Sequence, residues 1–126
     1  MDVKDLMIGD WIEDGYKKAQ VTSITCDGIV ETTAAISNIE VVDPIPLTEN
    51  ILVKNGFEKN HNDEAPAEEC YFYRLFAKPC GWFDIDAFGL EEELGAEFTY
   101  HDININYVHE LQHLLRLCGV DKEIEL

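Results

Sequence analysis

The segment DPIPLTENILVKNGF, residues 43–57, constrains the fold more than any other part of the chain. Its two prolines favour an extended entry, and Thr48 can accept hydrogen bonds from the first amides of a following turn. Gly56 then supplies the left-handed residue that ends a helix. The segment therefore predicts a short helix starting at Glu49, which must dock on a sheet because so few residues are not stable alone as a helix.

The chain before this helix is a series of short β-rich runs separated by turn signals such as Asp14-Gly15. Short strands joined by tight turns bury their apolar faces best by closing on themselves. We therefore predict a curled antiparallel sheet, a small SH3-like barrel. Its strands are expected at 8–13, 17–25, 28–34 and 36–42.

The chain after the helix begins with EKNHNDEAPAEE, residues 58–69, which carries no large apolar side chain and predicts an exposed, mobile acidic loop. Next, YFYRLFA and WFDIDAF predict an aromatic-rich hairpin, and FTYHDINI predicts one further strand. The last element is an amphipathic helix from about Tyr107 to Cys118. Asn106 is its expected cap and Gly119 its expected stop.

Together these elements predict an α+β fold in a single domain, residues 1–126, which is an ordinary length for one core. Residues 1–57 would form the curled sheet and short helix. Residues 58–69 would form the loop, and residues 70–126 the hairpin, the strand and the terminal helix. The pattern leaves open whether the strands on the two sides of the loop make one sheet or two.

Acidity is the outlying property, since 26 Asp and Glu against 9 Lys and Arg give a net charge of −17. The chain lacks the clustered cations that phosphate contacts need, so no nucleic-acid partner is expected. A basic protein is the expected partner, including a nucleic-acid-binding protein whose DNA this chain would mimic. The oligomeric state stays open, with self-association through exposed aromatic side chains as an alternative.

Location is indicated by what the sequence lacks. No apolar run approaches the ~18 residues that cross a bilayer, and the start MDVKDLMIGDWIEDG has no basic, apolar signal pattern. The four cysteines include no C-x-x-C pair and do not form the dense pattern of a disulfide scaffold. We therefore expect a cytoplasmic protein with reduced thiols and no membrane partner.

One motif carries chemistry: HELQH at 109–113 matches H-E-x-x-H, in which two imidazoles one helical turn apart bind Zn²⁺. In that hypothesis His109 and His113 are zinc ligands, Glu110 is the general base, and His101 or Asp102 on the preceding strand completes the site.

Two features oppose this zinc site. No histidine follows His113, and Arg116 would place a fixed cation beside the metal. We expect His109, His113 and Arg116 to lie on a solvated polar face. The favoured interpretation is therefore no metal, no cofactor and no catalytic residue, with a zinc-dependent hydrolase as the alternative.

Weaker patterns lie in the second half of the chain. Asp84 and Asp86 alternate with apolar residues and would share one face of a strand, as paired catalytic or ion-binding carboxylates do. Outward-facing acids on a half-buried strand are the favoured explanation. Glu91 to Glu93 predict a charged loop. A third set could form an aromatic binding platform or belong to the core: Tyr71, Tyr73, Trp82, Phe83 and Phe88.

Three stretches, IGDWI, PIPLTENILVKNGF and YVHELQHLLRLCG, together resemble a family of small proteins from gut-dwelling Bacteroides-type bacteria and their phages and prophages. Patterns such as PIPLTEEILLKNGFEK and a terminal YVHELQ mark that family. Asparagine commonly takes the place of His113 there, which breaks the zinc dyad. The resemblance implies a phage or mobile-element setting and carries over no activity.

The terminal motif of the family falls on the start of the last helix. Its apolar members are expected to anchor the helix to the sheet, and its polar members to bond to a neighbouring strand or loop. These residues are Tyr107, Val108, His109, Leu111 and Gln112. The sequence thus predicts a non-catalytic accessory protein that binds another protein through an acidic surface.

Overall fold

The computed structural model describes residues 5–15, 17–61, 71–77, 81–88, 97–101, 103–120 and 122–126. It confirms an α+β fold, with two antiparallel sheets of five strands each, a short helix in mid-chain and a helix near the C-terminus. The chain divides into two compact units, residues 1–46 with 107–113 and residues 47–106 with 114–126. Two sheets are therefore present, while the single folding domain over 1–126 stays a prediction.

The first unit contains five short strands, and a single turn of 3-10 helix, Ile39–Val41, links the last two. The strands are β1 (Trp11–Asp14), β2 (Lys17–Ile24), β3 (Ile29–Thr32), β4 (Ile36–Asn38) and β5 (Val42–Pro44). Their order in the sheet is β4-β3-β2-β1-β5, and each neighbouring pair is antiparallel.

The predicted closure of this sheet into a barrel is wrong. The strand Val42–Pro44 was not expected from the sequence pattern, and it pairs with β1. This leaves β4 and β5 as the two edges of an open sheet. The apolar face is covered without closure, because one buried cluster combines strand residues with the turn before β1 and the 3-10 turn: Leu6, Ile12, Val21, Val30, Ile39 and Val42.

The central helix, α1 (Glu49–Lys54), confirms the sequence prediction. The Thr48 hydroxyl accepts a hydrogen bond of 3.4 Å from the Ile51 amide, which places Thr48 at the N-cap. Gly56, at φ +90°, takes the left-handed conformation that ends the helix.

The second unit contains α1 and the other sheet. Its strands are β6 (Glu58–His61), β7 (Tyr71–Ala77), β8 (Gly81–Phe88), β9 (Glu97–Tyr100) and β10 (Ile103–Ile105). They are ordered β10-β9-β8-β7-β6. The predicted aromatic-rich hairpin is confirmed as β7 and β8, which pair along their full length from Tyr71 opposite Ala87 to Ala77 opposite Gly81.

Two expectations for this unit are corrected. Residues 58–61 belong to an edge strand rather than to the acidic loop, because pairing with β7 uses backbone groups and needs no apolar side chain. The single strand over FTYHDINI is instead β9 and β10, since the chain reverses at His101 with φ +46°. The rest of the predicted loop, 62–69, and Glu91 to Glu93 lie outside the described residues.

The last helix, α2 (Val108–Leu117), stops at Gly119 as predicted, with φ +71°. Its first backbone bond runs from the Leu111 amide to the Tyr107 carbonyl, so the N-cap is Tyr107 rather than Asn106. No helix in the described part of the chain is long and apolar enough to cross a membrane.

Candidate functional site

A tight turn before β1 builds the first half of the site. The Asp10 amide donates to the Met7 carbonyl at 3.1 Å, and Gly9 sits at the third position of this turn with φ +94°. A type II turn needs glycine there, because a side chain would clash at positive φ. The turn leaves the Asp10 side chain fully buried.

Asp10 joins this turn to α2. One carboxylate oxygen, Oδ2, accepts a hydrogen bond of 2.7 Å from the Met7 amide and lies 2.7 Å from Nε2 of His113. An ionised carboxylate can only accept, so the ring nitrogen carries the proton and donates. The pair is short, charge-assisted and buried on the Asp10 side.

Gln112 makes the second connection to the same turn. Its Oε1 accepts from the Trp11 amide at 2.8 Å, and its Nε2 donates to the Gly9 carbonyl at 2.9 Å. Both ends of the side-chain amide are therefore paired with backbone groups. We call Asp10, Gln112 and His113, together with the backbone of residues 7–11, the turn–helix clamp.

His109 lies beside this clamp and corrects the expected solvated face, since only 5% of the residue is exposed. Its ring stacks on Tyr107, with centroids 5.8 Å apart and planes 13° from parallel. Among the described residues its Nδ1 atom has no hydrogen-bond partner. Burial lowers the pKa of His109 from its ordinary value of 6.5, and the nearby carboxylates of Asp10 and Glu110 oppose that shift less strongly.

Glu110 helps to cap the N-terminus of α2. Its Oε1 accepts a hydrogen bond of 3.1 Å from the Tyr107 amide, three residues earlier. A glutamate at this position satisfies an amide that the helix leaves unpaired, and its negative charge favours the helix N-terminus. The carboxylate proposed as a general base therefore has a structural role in capping.

The two imidazoles of the HELQH motif do lie together, with ring centroids 5.6 Å apart. However, Nε2 of His113 is taken up by its contact with Asp10, so only Nδ1 of that ring keeps a lone pair for a metal. His101 belongs to the other unit, where its ring packs on Tyr100, and Asp102 lies outside the described residues. Within the described ranges, no group of three or more His, Cys, Asp or Glu is arranged to hold a metal ion. The geometry favours the turn–helix clamp, and the zinc site stays an alternative hypothesis.

The other residues of the YVHELQ motif differ in how deeply they are buried. Val108 and Leu111 are fully buried, as expected of anchors. Tyr107 is partly exposed and forms an isolated β-bridge with Pro46. Gln112 makes the expected bonds to a neighbouring loop, whereas His109 packs through its ring.

Asp84 and Asp86 share the solvent side of β8, as the alternation predicts, with Phe83, Ile85 and Ala87 buried on the other side. Asp84 forms a bidentate ion pair with Arg74. Arg74 Nε lies 2.8 Å from Oδ1 and Nη2 lies 3.0 Å from Oδ2. The ion pair gives Asp84 a partner within the sheet, and the paired-carboxylate hypothesis stays untested.

The predicted aromatic platform is split between the two sides of the sheet. Tyr73 and Phe83 are in the core, while Trp82 is 60% exposed. The side chains of Tyr71 and Phe88 lie outside the described part of the chain. Sequence reasoning overlooked the other two aromatic residues on the solvent side, Phe72 and Phe76, although the alternation of YFYRLFA places them there.

Comparison with known proteins does not identify a relative: no family model matches the chain, and no curated protein or solved structure matches it significantly.

Proposed function

We propose that this chain is a non-catalytic accessory protein of the cytosol, of phage or mobile-element origin, that binds a basic protein through its acidic surface. The resemblance of its three sequence stretches supports the origin. We also keep the SH3-like assignment of the first sheet as a proposal, supported by its antiparallel strand order β4-β3-β2-β1-β5 and by the 3-10 turn before the last strand.

The observation that carries the binding proposal is where the carboxylates lie. The chain has a net charge of −17, and among the acidic side chains that are described, Asp10 alone is buried. The rest of the described negative charge is at or near the surface, where it raises the encounter rate with a positively charged partner and repels nucleic acid.

The HELQH motif supports a non-catalytic function for a different reason. The His113 imidazole, the Gln112 amide and the Glu110 carboxylate all make bonds within the protein. These bonds hold the turn before β1 on α2 and cap the helix. These three side chains thereby contribute to stability in the way that hydrogen-bonded polar groups do.

A peptide titration tests the proposal. A peptide of alternating arginine and serine should bind, with an affinity that falls at least about tenfold between ~50 and ~500 mM salt, because surface charge is screened. A matched peptide with glutamate in place of arginine, and duplex DNA, should not bind. No binding of the arginine peptide at low salt, or binding that does not change with salt, would contradict the proposal.

A further inference from the structure

The solvent side of β7 and β8 carries a continuous set of aromatic and charged side chains. We define it as the outer face of the second sheet: Phe72, Arg74, Phe76, Trp82, Asp84 and Asp86. Residues between them, such as Tyr73 and Ile85, are fully buried on the opposite side. Cross-strand pairing puts Phe76 opposite Trp82, Arg74 opposite Asp84, and Phe72 opposite Asp86.

The outer face already holds the guanidinium of one of its own residues, Arg74. The Arg74 guanidinium carbon lies 5.1 Å from the centre of the Phe72 ring and 5.2 Å from that of Trp82. Asp84 forms a bidentate ion pair with the same group through both carboxylate oxygens. Cation–π stacking and a two-pronged carboxylate contact are the two ways in which proteins recognise arginine.

Two aromatic rings are exposed to solvent at one end of the face, and one of them, Trp82, is also the ring on which Arg74 lies. Trp82 is 60% exposed and Phe76 is 54% exposed, and their centroids are 5.0 Å apart. Exposed neighbouring aromatic residues with a polar surround are typical of binding surfaces. The ring planes meet at 69°, so they do not offer the flat, parallel platform on which sugar rings or bases stack.

The charge of the outer face favours a cationic partner. Asp86 is exposed at the other end of β8, and exposed Glu58 lies opposite Arg74 on the edge strand β6. Among the described residues, the carboxylates of Glu58, Asp84 and Asp86 lie on the same side of the sheet as the Arg74 guanidinium. A cation is favoured on such a surface, and the net charge of −17 disfavours an anionic ligand.

We propose that the outer face of the second sheet binds an extended, arginine-containing segment of the basic partner. One arginine stacks on Trp82 and Phe76, and a second is attracted to the exposed negative charge of Asp86 beside Phe72. Trp82 and Asp86 are four residues apart on one strand, a distance of about 13 Å. An extended peptide spans the same distance in four residues and presents both side chains to one side, whereas residues three apart face opposite sides. This inference rests on the proposed function and names its binding site.

Two peptides of identical composition test it by calorimetry with the intact protein. Both contain two arginines in a serine–glycine chain, spaced four residues apart in one and three apart in the other. The nonspecific attraction to a negative protein is equal for the two. We expect the four-residue spacing to bind about tenfold more tightly, since only that peptide can fill both positions.

Variants locate the site. Trp82→Ala and Phe76→Ala should each remove most of the difference between the peptides, and Asp86→Asn should weaken the better peptide about threefold. Asp43→Asn, an equal change of charge at an exposed position on β5, should leave the difference intact. Circular dichroism checks that each variant is folded, as expected for exposed side chains.

The possible results separate the two proposals. Equal affinities for both peptides, unchanged in Trp82→Ala, would overturn the outer face as the site while leaving the binding of basic proteins in place. No binding of either peptide would overturn both. A dimer in sedimentation analysis that Trp82→Ala dissociates would assign the face to a second copy of this chain and would also overturn the inference.

Discussion

Replacing Asp10 with alanine should lower the free energy of unfolding by about 3 kcal/mol. The carboxylate is fully buried, and one of its oxygens accepts bonds of 2.7 Å from both the Met7 amide and His113 Nε2. A hydrogen bond to a charged group contributes ~1.5–3 kcal/mol, so two would give ~3–6 kcal/mol if they were additive. The lower end applies because 24% of the His113 side chain is exposed and water can replace part of the interaction.

Urea denaturation measures this effect in a double-mutant cycle. With an m value of about 2 kcal/mol/M, the midpoint for Asp10→Ala should fall by about 1.5 M. His113→Ala should cost about 1–2 kcal/mol, and the two changes should couple by about 1–2 kcal/mol because the side chains are in contact. Asp43→Ala removes an exposed carboxylate from the same unit and should stay within about 0.5 kcal/mol of the parent protein.

Two results would refute the reasoning behind the turn–helix clamp. Additive effects of Asp10→Ala and His113→Ala, with a coupling below about 0.5 kcal/mol, would contradict a direct bond between the side chains. A loss in Asp10→Ala no larger than that in Asp43→Ala would show that the clamp does not stabilise the fold.

Further predictions concern the same helix. Gln112→Glu should cost about 2 kcal/mol in urea denaturation, because a carboxylate cannot donate to the Gly9 carbonyl; an unchanged midpoint would contradict that bond. Since burial lowers the pKa of His109 from 6.5, the unfolded chain takes up the proton at a higher pH than the folded protein does, so stability should drop as the pH falls below about 6.5. His109→Phe should flatten this slope and His101→Asn should not; equal slopes in all three proteins would remove His109 as the cause. Elemental analysis of untagged protein should find far less than one zinc per chain, whereas stoichiometric zinc that disappears in His113→Asn would support the hydrolase alternative.

Structure encoded by neighbouring residues was predictable from the sequence. The cap at Thr48, the helix α1 and its stop at Gly56 all depend on interactions within a few residues, and the structure contains all three. The β7–β8 hairpin was predictable for the same reason, because alternation and a short connection determine its register.

Structure that depends on distant partners was not predictable. His109 follows a polar helical stripe with His113 and Arg116, and the stripe alone predicts exposure. The groups that bury this side belong to the turn before β1, and the bond from Trp11 to Gln112 spans 101 positions in the sequence. Asp10 had no local signal at all, since nothing in IGDWI indicates that its carboxylate meets a histidine near the other end of the chain.

The two edge strands β5 and β6 were not predicted from the sequence for a related reason. The strand β6 is paired on one side only and contains no alternating apolar residues, so its composition resembles that of a loop. The strand β5 is short and ends at Pro44, which also argues against a strand in sequence terms. Both are specified by the backbone of the neighbouring strand, which a pattern of side chains does not report.

Amide chemical-shift mapping with the peptide of four-residue spacing tests the central claim most directly. The account predicts that the shifts concentrate on β7 and β8, include the side-chain indole of Trp82 and leave residues 107–113 unchanged. Shifts spread evenly over the acidic surface of both units, or centred on the HELQH motif, would contradict it.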